Sequence, residues 1–465
     1  MPFVCTKDIS PQIFRAYDIR GIVGETLTPT ILYTLGRAIG TTLYEQQQSM
    51  SIITARDGRL SGPSLSAALE QGLCDSGCEV IDIAAVPSPV LYFATHTLST
   101  RSGVILTGSH NPVEYNGLKI ILNGCNLTEE TVYALYQRIQ VGHLHRGQGQ
   151  IVRAHTIVPD YIQRICSDIV LQKPLRVVLD CGNGIPGAVA PKLLRQLGCT
   201  VIELFCDVDG NFPNHHPDPS VPENLSTLIS AVAQHQADIG LALDGDGDRL
   251  GVVTNTGKII WPDRQLMLYA IDILSRHPNA TIVYDVKSTQ HLAKVIRDHG
   301  GLPLMWKTGH SLLKAKMKEV SALLAGEMSG HIFFQERWYG FDDALYTAAR
   351  LLELLAKDTR SSTEIFAALP EGISTPEIKI PISEAHKFIF MEQFIAKAKF
   401  ANAQLYTLDG VRAEFSNGWG LLRASNTTPC LTARFEADQP TNLTHIQTLF
   451  KDQIAAVDPY LKLPF

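Results

Sequence analysis

Residues 177–198 read VVLDCGNGIPGAVAPKLLRQLG. Val177, Val178 and Leu179 form a short apolar strand by pattern, and Cys181-Gly182-Asn183-Gly184 supplies turn chemistry. A helix is predicted from there to Leu197, with Gly198 placed to end it. Strand, turn and helix in that order is the unit from which α/β sheets are built. The signal repeats on both sides. Upstream, Val104-Ile105-Leu106 reads as a buried strand ending at a loop, and residues 118–122 as a second strand. Thr128 is then a helix N-cap, with Glu129 and Glu130 in the first turn, where the helix dipole favours acids. Downstream, Ile239–Leu243 and residues 281–284 read as strands, and residues 341–357 as a long amphipathic helix.

At 465 residues the chain exceeds what one hydrophobic core holds, roughly 250–300 residues. Turn chemistry and composition divide it into α/β segments 1–153, 154–257 and 258–369. After the turn-rich stretch 370–376, the remainder to residue 465 reads strand, helix, strands, helix, a small α+β domain. The first three segments share a style, but one sequence does not demonstrate a repeat. A net charge of -6 gives no general attraction to nucleic acid or anionic membrane, so neither is expected as a partner. The N-terminus lacks the basic and apolar pattern of a signal peptide, and no run has the roughly 18 apolar residues of a membrane helix, so a cytoplasmic protein is expected. Nine scattered cysteines argue for reduced, mostly buried thiols, with Cys74 and Cys78 the closest in sequence. Charge and composition leave the oligomeric state open and are compatible with a monomer.

Four loops carry candidate chemistry. In TGSHNP, residues 107–112, Ser109 directly follows a strand, and Gly108 is read as letting a phosphate approach the backbone. A serine hydroxyl needs a base or metal to act as a nucleophile. In DGDGDR, residues 244–249, Asp244, Asp246 and Asp248 alternate with glycines and converge on one cation if the backbone curls. Oxygen-only ligation suits Mg²⁺. Counted as a calcium EF-hand, the loop fails at its sixth and twelfth positions, Arg249 and Asn255. A phosphatase with Asp244 as phosphate carrier is the rival. In GEMSGH, residues 326–331, Glu327 and Ser329 suit sugar hydroxyls. In RASNTTP, residues 423–429, Arg423 with Ser425, Asn426 and Thr427 forms a dense donor set for a phosphate. His215 and His216, in the proline-rich loop GNFPNHHPDP, are read as loop structure because no third ligand sits at zinc spacing.

Taken in order, with FRAYDIRG and KTGHSLLK beside them, these loops resemble the α-D-phosphohexomutase superfamily over essentially the whole chain, and within it the bacterial bifunctional phosphomannomutase/phosphoglucomutase group. The resemblance implies a four-domain architecture around a central cleft, with three related mixed-sheet α/β domains and a smaller α+β C-terminal domain. It implies Ser109 as the phosphoserine and Asp244, Asp246 and Asp248 as ligands of one Mg²⁺, which a phosphate oxygen on Ser109 completes. Glu327 and Ser329 would grip two sugar hydroxyls. Arg423, Ser425, Asn426 and Thr427 would hold the non-reacting phosphate. Tyr17, Arg20, Lys119, Arg249, Lys287, His310 and His331 match other positions lining the cleft. Phosphoglucosamine mutases typically carry a GTDGIRG-type start and a GEQSGH sugar loop. FRAYDIRG and Met328 here favour glucose and mannose phosphates.

The implied reaction interconverts hexose 1- and 6-phosphates. Phosphorylated Ser109 donates to a hexose phosphate, and the hexose 1,6-bisphosphate (glucose 1,6-bisphosphate for glucose) reorients and returns its other phosphate. Arg249 and Mg²⁺ would offset charge on the transferring oxygens, and Arg20 also sits among the catalytic candidates. His110, Lys119 and His310 are candidate bases by position, and sequence does not choose among them. Residues 370–376 are the expected hinge for closure of the last domain over substrate. Phosphoglucosamine mutase, a metal-dependent sugar phosphatase and a non-catalytic sugar-phosphate sensor are the alternatives.

Overall fold

The computed structural model describes residues 3–47, 49–425 and 428–465. The chain forms two compact units, residues 1–261 with 329–365 and residues 262–328 with 366–465.

The first unit contains two mixed sheets. Strands β1 (Ile19–Ile22), β2 (Ser51–Arg56), β3 (Glu79–Ala85), β4 (Gly103–Leu106), β5 (Tyr115–Leu122), β6 (Cys125–Asn126) and β7 (Gln150–Arg153) form the larger one. Its order is β1-β5-β4-β2-β3-β7, with β6 beside β5. β2 runs parallel to β3 and β4, and β5 antiparallel to β1 and β4. The second sheet holds β8 (Arg176–Asp180), β9 (Thr200–Leu204), β10 (Ile239–Leu243), β11 (Leu250–Thr254) and β12 (Ile259–Ile260), in the order β12-β11-β10-β8-β9. β8 is parallel to β9 and β10, and β10 is antiparallel to β11. β4 and β10 are buried at every residue, which is why they read as unbroken apolar runs rather than alternations.

In the second unit β13 (Thr281–Asp285) lies between β14 (Leu302–Trp306) and β15 (Leu324–Gly326), parallel to both. The rest is an antiparallel sheet ordered Ile373–Ser374, Cys430–Ala437, Gly418–Ala424, Val411–Phe415, Gln404–Tyr406, with Ile378–Pro381 also on Cys430–Ala437. Helices Glu384–Lys397 and Pro440–Ala455 cover it, and Phe390, Phe394, Phe435 and Phe450 fill its core. These elements follow the predicted strand, helix, strands, helix order.

The repeat that sequence alone did not demonstrate is present in the topology. In each α/β sheet the first of three parallel strands is central, flanked by the second and the third: β2 by β3 and β4, β8 by β9 and β10, β13 by β14 and β15. The third strand each time leads directly into a chemistry-bearing loop, residues 107–112, 244–249 and 326–331.

Several boundaries differ from expectation. The helix predicted to Leu197 is a 3-10 turn, Ile185–Ala188, followed by an α-helix, Ala190–Gln196. Pro191 has no N–H to donate to the preceding turn and its ring crowds that backbone, so one helix cannot run through. Gly198, at φ 97°, does end it. The helix predicted over 341–357 is Ala344–Lys357, because the Asp343 side chain caps it by accepting from the Tyr346 N–H. Residues 370–376 are not a free linker, since Ile373 and Ser374 pair with Ala437 and Glu436. Residues 329–365 pack with the first unit, a discontinuity that composition does not signal. All nine cysteines are free, and the sulfurs of Cys181 and Cys206 lie 3.5 Å apart. Among the described residues, no helix is long and apolar enough to cross a membrane.

Candidate active site

The serine loop is built from the end of β4. Ser109 is 3% exposed and sits at φ 46°, a left-handed conformation that costs a non-glycine residue free energy. Neighbours over-determine it. The Arg59 guanidinium donates to the carbonyls of Ser109 (2.9 Å), Asn111 (2.6 Å), Pro112 (2.6 Å) and Tyr115 (2.9 Å). Asp57 accepts from Thr107 Oγ1 (2.8 Å) and the Gly108 N–H (3.0 Å). Arg20, on β1, donates to the Gly108 carbonyl (2.6 Å) and Asn111 Oδ1 (2.8 Å). Gly108 has a further role. A Cβ there would lie 2.2 Å from Arg59 Nε, so the glycine makes room for the buried guanidinium.

The acidic loop comes to the same place. Ser109 Oγ donates to Asp244 Oδ2 at 2.9 Å and lies 3.1 Å from His110 Nδ1. Oxygens of Asp244, Asp246 and Asp248, all buried, lie within 4.8 Å of one another. The backbone curls because the Asp244 carboxylate accepts from the N–H groups of Gly247, Asp248 and Arg249. Lys119, on β5, bonds Asp246 Oδ2 at 2.6 Å and also Asp248. Burial opposes its charge, yet the two carboxylates hold its pKa well above the usual lysine value. Burial, then Asp248 and Asp246, push Asp244 up to about 8. Burial and the Arg249 charge keep His110 neutral, far below the usual histidine range. Of the candidate bases, His110 is thus the uncharged one at hydrogen-bond distance from Ser109, whereas Lys119 is a paired cation. His331 joins the cluster, with Nδ1 3.1 Å from Asp342 and 3.6 Å from Asp248.

A cation fits these residues. The donors are oxygen-only, crowded and buried, and the Lys119 ammonium already stands among them as a positive charge. Asp246 Oδ1 and Asp248 Oδ1 are buried without a hydrogen-bond partner among the described residues. Arg249 reaches Asp244 through Nε (3.3 Å) and Asp218 through Nη1 (3.5 Å), but its Nη2 is also a buried donor with no acceptor among the described residues. So is Ser329 Oγ. Buried polar atoms are rarely left unmatched, so this concentration marks where a ligand belongs. Tyr17 is half-buried in the turn before β1.

The second unit gathers the remaining candidates. Lys287 follows β13 and pairs with Glu377 at 3.2 Å; burial opposes its charge, but the carboxylates of Glu377, Asp285 and Glu327 together raise its pKa. Glu327 follows β15 and is buried. His310 opens the helix His310–Glu319. Arg423, on Gly418–Ala424, donates through Nε to Asp409 at 3.0 Å, and its Nη2 is buried without an acceptor among the described residues. Ser425 is buried, whereas Asn426 and Thr427 lie outside the described residues.

Models of all four domains of one family match the chain. Phosphoglucomutase/phosphomannomutase alpha/beta/alpha domains I, II and III match residues 11–145, 159–257 and 261–372, and the C-terminal domain matches residues 377–453. The chain belongs to the phosphoglucomutase/phosphomannomutase family. Three of its folded domains are α/β, and the fourth is the smaller C-terminal one. The Pseudomonas aeruginosa phosphomannomutase/phosphoglucomutase is 55% identical over 454 residues, covering 98% of both chains. A Neisseria gonorrhoeae phosphoglucomutase is 50% identical over 461 residues, covering 98% of this chain and 99% of that one. The crystal structure of a Burkholderia thailandensis phosphoglucomutase/phosphomannomutase family protein superposes with TM-score 0.94 at 48% identity, over 98% of this chain and all of that one.

Within this family fold, sequence reasoning missed the residues that hold the loops: Asp57, Arg59, Ser88, Asp218 and Asp342. Ser88 donates to Asp246 Oδ2 at 2.5 Å and, through its N–H, to the Asp246 carbonyl at 2.9 Å. An aspartate directly after a buried strand, as in Asp57-Gly58-Arg59, was the signal available. The contacts of Asp218 with Arg249 and of Asp342 with His331 join separate loops, and no local pattern signals them.

Proposed function

We propose that this protein reversibly interconverts hexose 1-phosphates and hexose 6-phosphates of glucose and mannose, through a phosphoserine at Ser109 and a hexose 1,6-bisphosphate that reorients before the second transfer. It is an isomerase of the phosphomannomutase/phosphoglucomutase type. The observation that carries this reading is the placement of Ser109 Oγ on Asp244 within the buried carboxylate cluster, beside a neutral His110.

Asp244, Asp246, Asp248 and Ser109 would hold one Mg²⁺, which supplies Lewis-acid polarisation of phosphoryl oxygens when bound. The chain's own residues do the rest. Arg249 presents its free Nη2 to phosphoryl oxygens, offsetting charge that develops in transfer. His110 exchanges the proton at Ser109 Oγ. Arg20 and Arg59 keep the serine in its left-handed conformation. Lys119 and His310 remain the groups for the sugar hydroxyl proton. Tyr17, Lys287, Glu327, Ser329 and His331 bind the sugar phosphate, and Arg423, Ser425, Asn426 and Thr427 hold its distal phosphate, converting remote binding energy into alignment.

Glucose 1,6-bisphosphate is the expected activator, and the protein is expected to work in the cytoplasm. The domain limits proposed are 1–153, 154–257, 258–369 and 370–465. In support, β7 ends at Arg153 and β8 to β11 fall within 176–254, whereas β12, at Ile259–Ile260, pairs with β11 and carries the second sheet slightly past 257. The test is turnover of glucose 1-phosphate, mannose 1-phosphate and glucosamine 1-phosphate, with Mg²⁺ and a trace of glucose 1,6-bisphosphate. Turnover of the first two, lost by at least about 10⁴-fold in Ser109→Ala, is expected for a covalent carrier. Preference for glucosamine 1-phosphate would move the protein to that sugar. Steady release of inorganic phosphate would make it a phosphatase.

A further inference from the structure

Asp285 is the last residue of the central strand β13 and is fully buried. Three different turns donate to its carboxylate. Ser288 Oγ reaches Oδ1 at 2.8 Å, from the turn that carries Lys287. The Met328 N–H reaches Oδ1 at 3.3 Å, from the loop that carries Glu327. Thr308 Oγ1 reaches Oδ2 at 3.2 Å, two residues before His310. The chain of contacts continues to a fourth loop. The Thr308 N–H donates to Asp409 Oδ2 at 3.0 Å, and the same oxygen accepts from Arg423 Nε.

We propose that Asp285 is a positioning residue for sugar-phosphate recognition, its one carboxylate setting the mutual register of the turns that carry Lys287, Glu327 and His310. The proposal rests on the functional reading above, which places those three side chains on the substrate. It needs an aspartate specifically. Three donors converge on two oxygens, whereas asparagine offers one acceptor oxygen and an NH₂ that faces donors. It also explains a cost. Among the described residues, none of the hydrogen bonds to this buried carboxylate comes from a lysine or arginine side chain, an arrangement that stability alone does not favour. Burial pushes the carboxyl up to about 6, with Lys287 pulling the other way.

The first two sheets use the same device. Asp57, directly after the central strand β2, accepts from Thr107 and Gly108 of the serine loop. Asp180, the last residue of the central strand β8, holds His215 at 3.0 Å, and two residues on the Pro217 carbonyl accepts the Gly245 N–H of the acidic loop. In each sheet the carboxylate at the central strand's end braces the loop that follows the third strand, directly in the first and third sheets and through His215 in the second.

The experiment measures KM and kcat for glucose 1-phosphate, phosphate occupancy of Ser109 by mass spectrometry, and thermal unfolding, on the full chain with Mg²⁺. The proteins are wild type, Asp285→Asn and the milder Thr308→Val. Expected is a KM raised about tenfold in Asp285→Asn and several-fold in Thr308→Val, with occupancy of Ser109 unchanged. If Asp285→Asn does not fold, Thr308→Val carries the test. Wild-type KM in every variant that folds, whatever its melting temperature, overturns the positioning role and leaves Asp285 a purely structural residue. A wild type inactive on all hexose phosphates would instead fail the functional reading, so the two failures are distinguishable.

Discussion

At the scale of the residue, the site is a balance of charges around Ser109. Three buried carboxylates cannot all ionise beside one another without compensation, and Lys119, Arg249 and the proposed Mg²⁺ supply it. The neutrality of His110 has a definite cause, burial together with the Arg249 guanidinium, and leaves the ring able to accept a proton. His110→Ala is therefore expected to lose about 10²-fold in kcat, the usual cost of removing a general base. A rate and pH–rate profile equal to wild type would eliminate His110 from proton transfer. The sequence made Ser109 and the three aspartates legible because their chemistry is local: a serine after a strand, and carboxylates alternating with glycines. It did not make Asp57 and Arg59 legible as partners of the loop, since Arg59 and Ser109 are fifty residues apart in the chain. For the same reason the room that Gly108 leaves for the Arg59 guanidinium is not legible in the sequence.

At the scale of the element, close approach and prolines decide what pattern reading cannot. The helices Pro29–Glu45 and Gly62–Cys74 touch through Gly36 and Gly72, and a Cβ at Gly72 would lie 2.1 Å from the Tyr33 carbonyl oxygen. In an open helix Gly→Ala stabilises by roughly 0.5–1 kcal/mol. Here the sign reverses, and Gly72→Ala is expected to destabilise by about 1–3 kcal/mol as the helices are forced apart. Chemical denaturation would show this as a lower midpoint for the first unfolding transition, and an unchanged or higher midpoint would contradict the packing argument. The proline-rich loop carries a second test. His215 bonds both oxygens of Asp180 at 3.0 and 3.1 Å. Burial opposes its protonation, but the hydrogen bond and charge of Asp180 prevail, so its folded-state pKa is raised. That stabilisation is full below the unfolded value, about 6.5, and is lost as pH rises through the higher folded value. Stability should fall over that window in wild type and fall less in His215→Gln. Parallel pH profiles of the two proteins would show that the pair contributes nothing. Helix limits were the least legible elements, because Pro191 and the Asp343 cap moved them by a few residues against an otherwise correct period.

At the scale of the whole molecule, one plan of three parallel strands with the first in the centre is used three times, and each copy delivers a different loop: the serine, the carboxylates and the proposed sugar contacts. Local motifs exposed the loops, and alternating strands and helices exposed the class, so most of the architecture was readable. The exact repeat was not, since it lives in strand order and not in residue identity. Nor was the discontinuity by which residues 329–365 join the first unit, splitting Glu327 from Ser329 within one loop. The net charge of -6 sets the mean field against an anionic substrate, which makes the buried arginines and lysines the local answer rather than a general steering surface. The central claim is that phosphate moves between Ser109 and sugar without passing to water. A single-turnover experiment tests it most directly. Protein carrying labelled phosphate on Ser109 is mixed with excess glucose 1-phosphate and Mg²⁺, quenched over time, and resolved into protein, sugar and inorganic phosphate. The account predicts that label leaves the Ser109 peptide, appears first in glucose 1,6-bisphosphate and then in glucose 6-phosphate. Label released as inorganic phosphate at the rate of turnover, or found on Asp244 and not on Ser109, would contradict it.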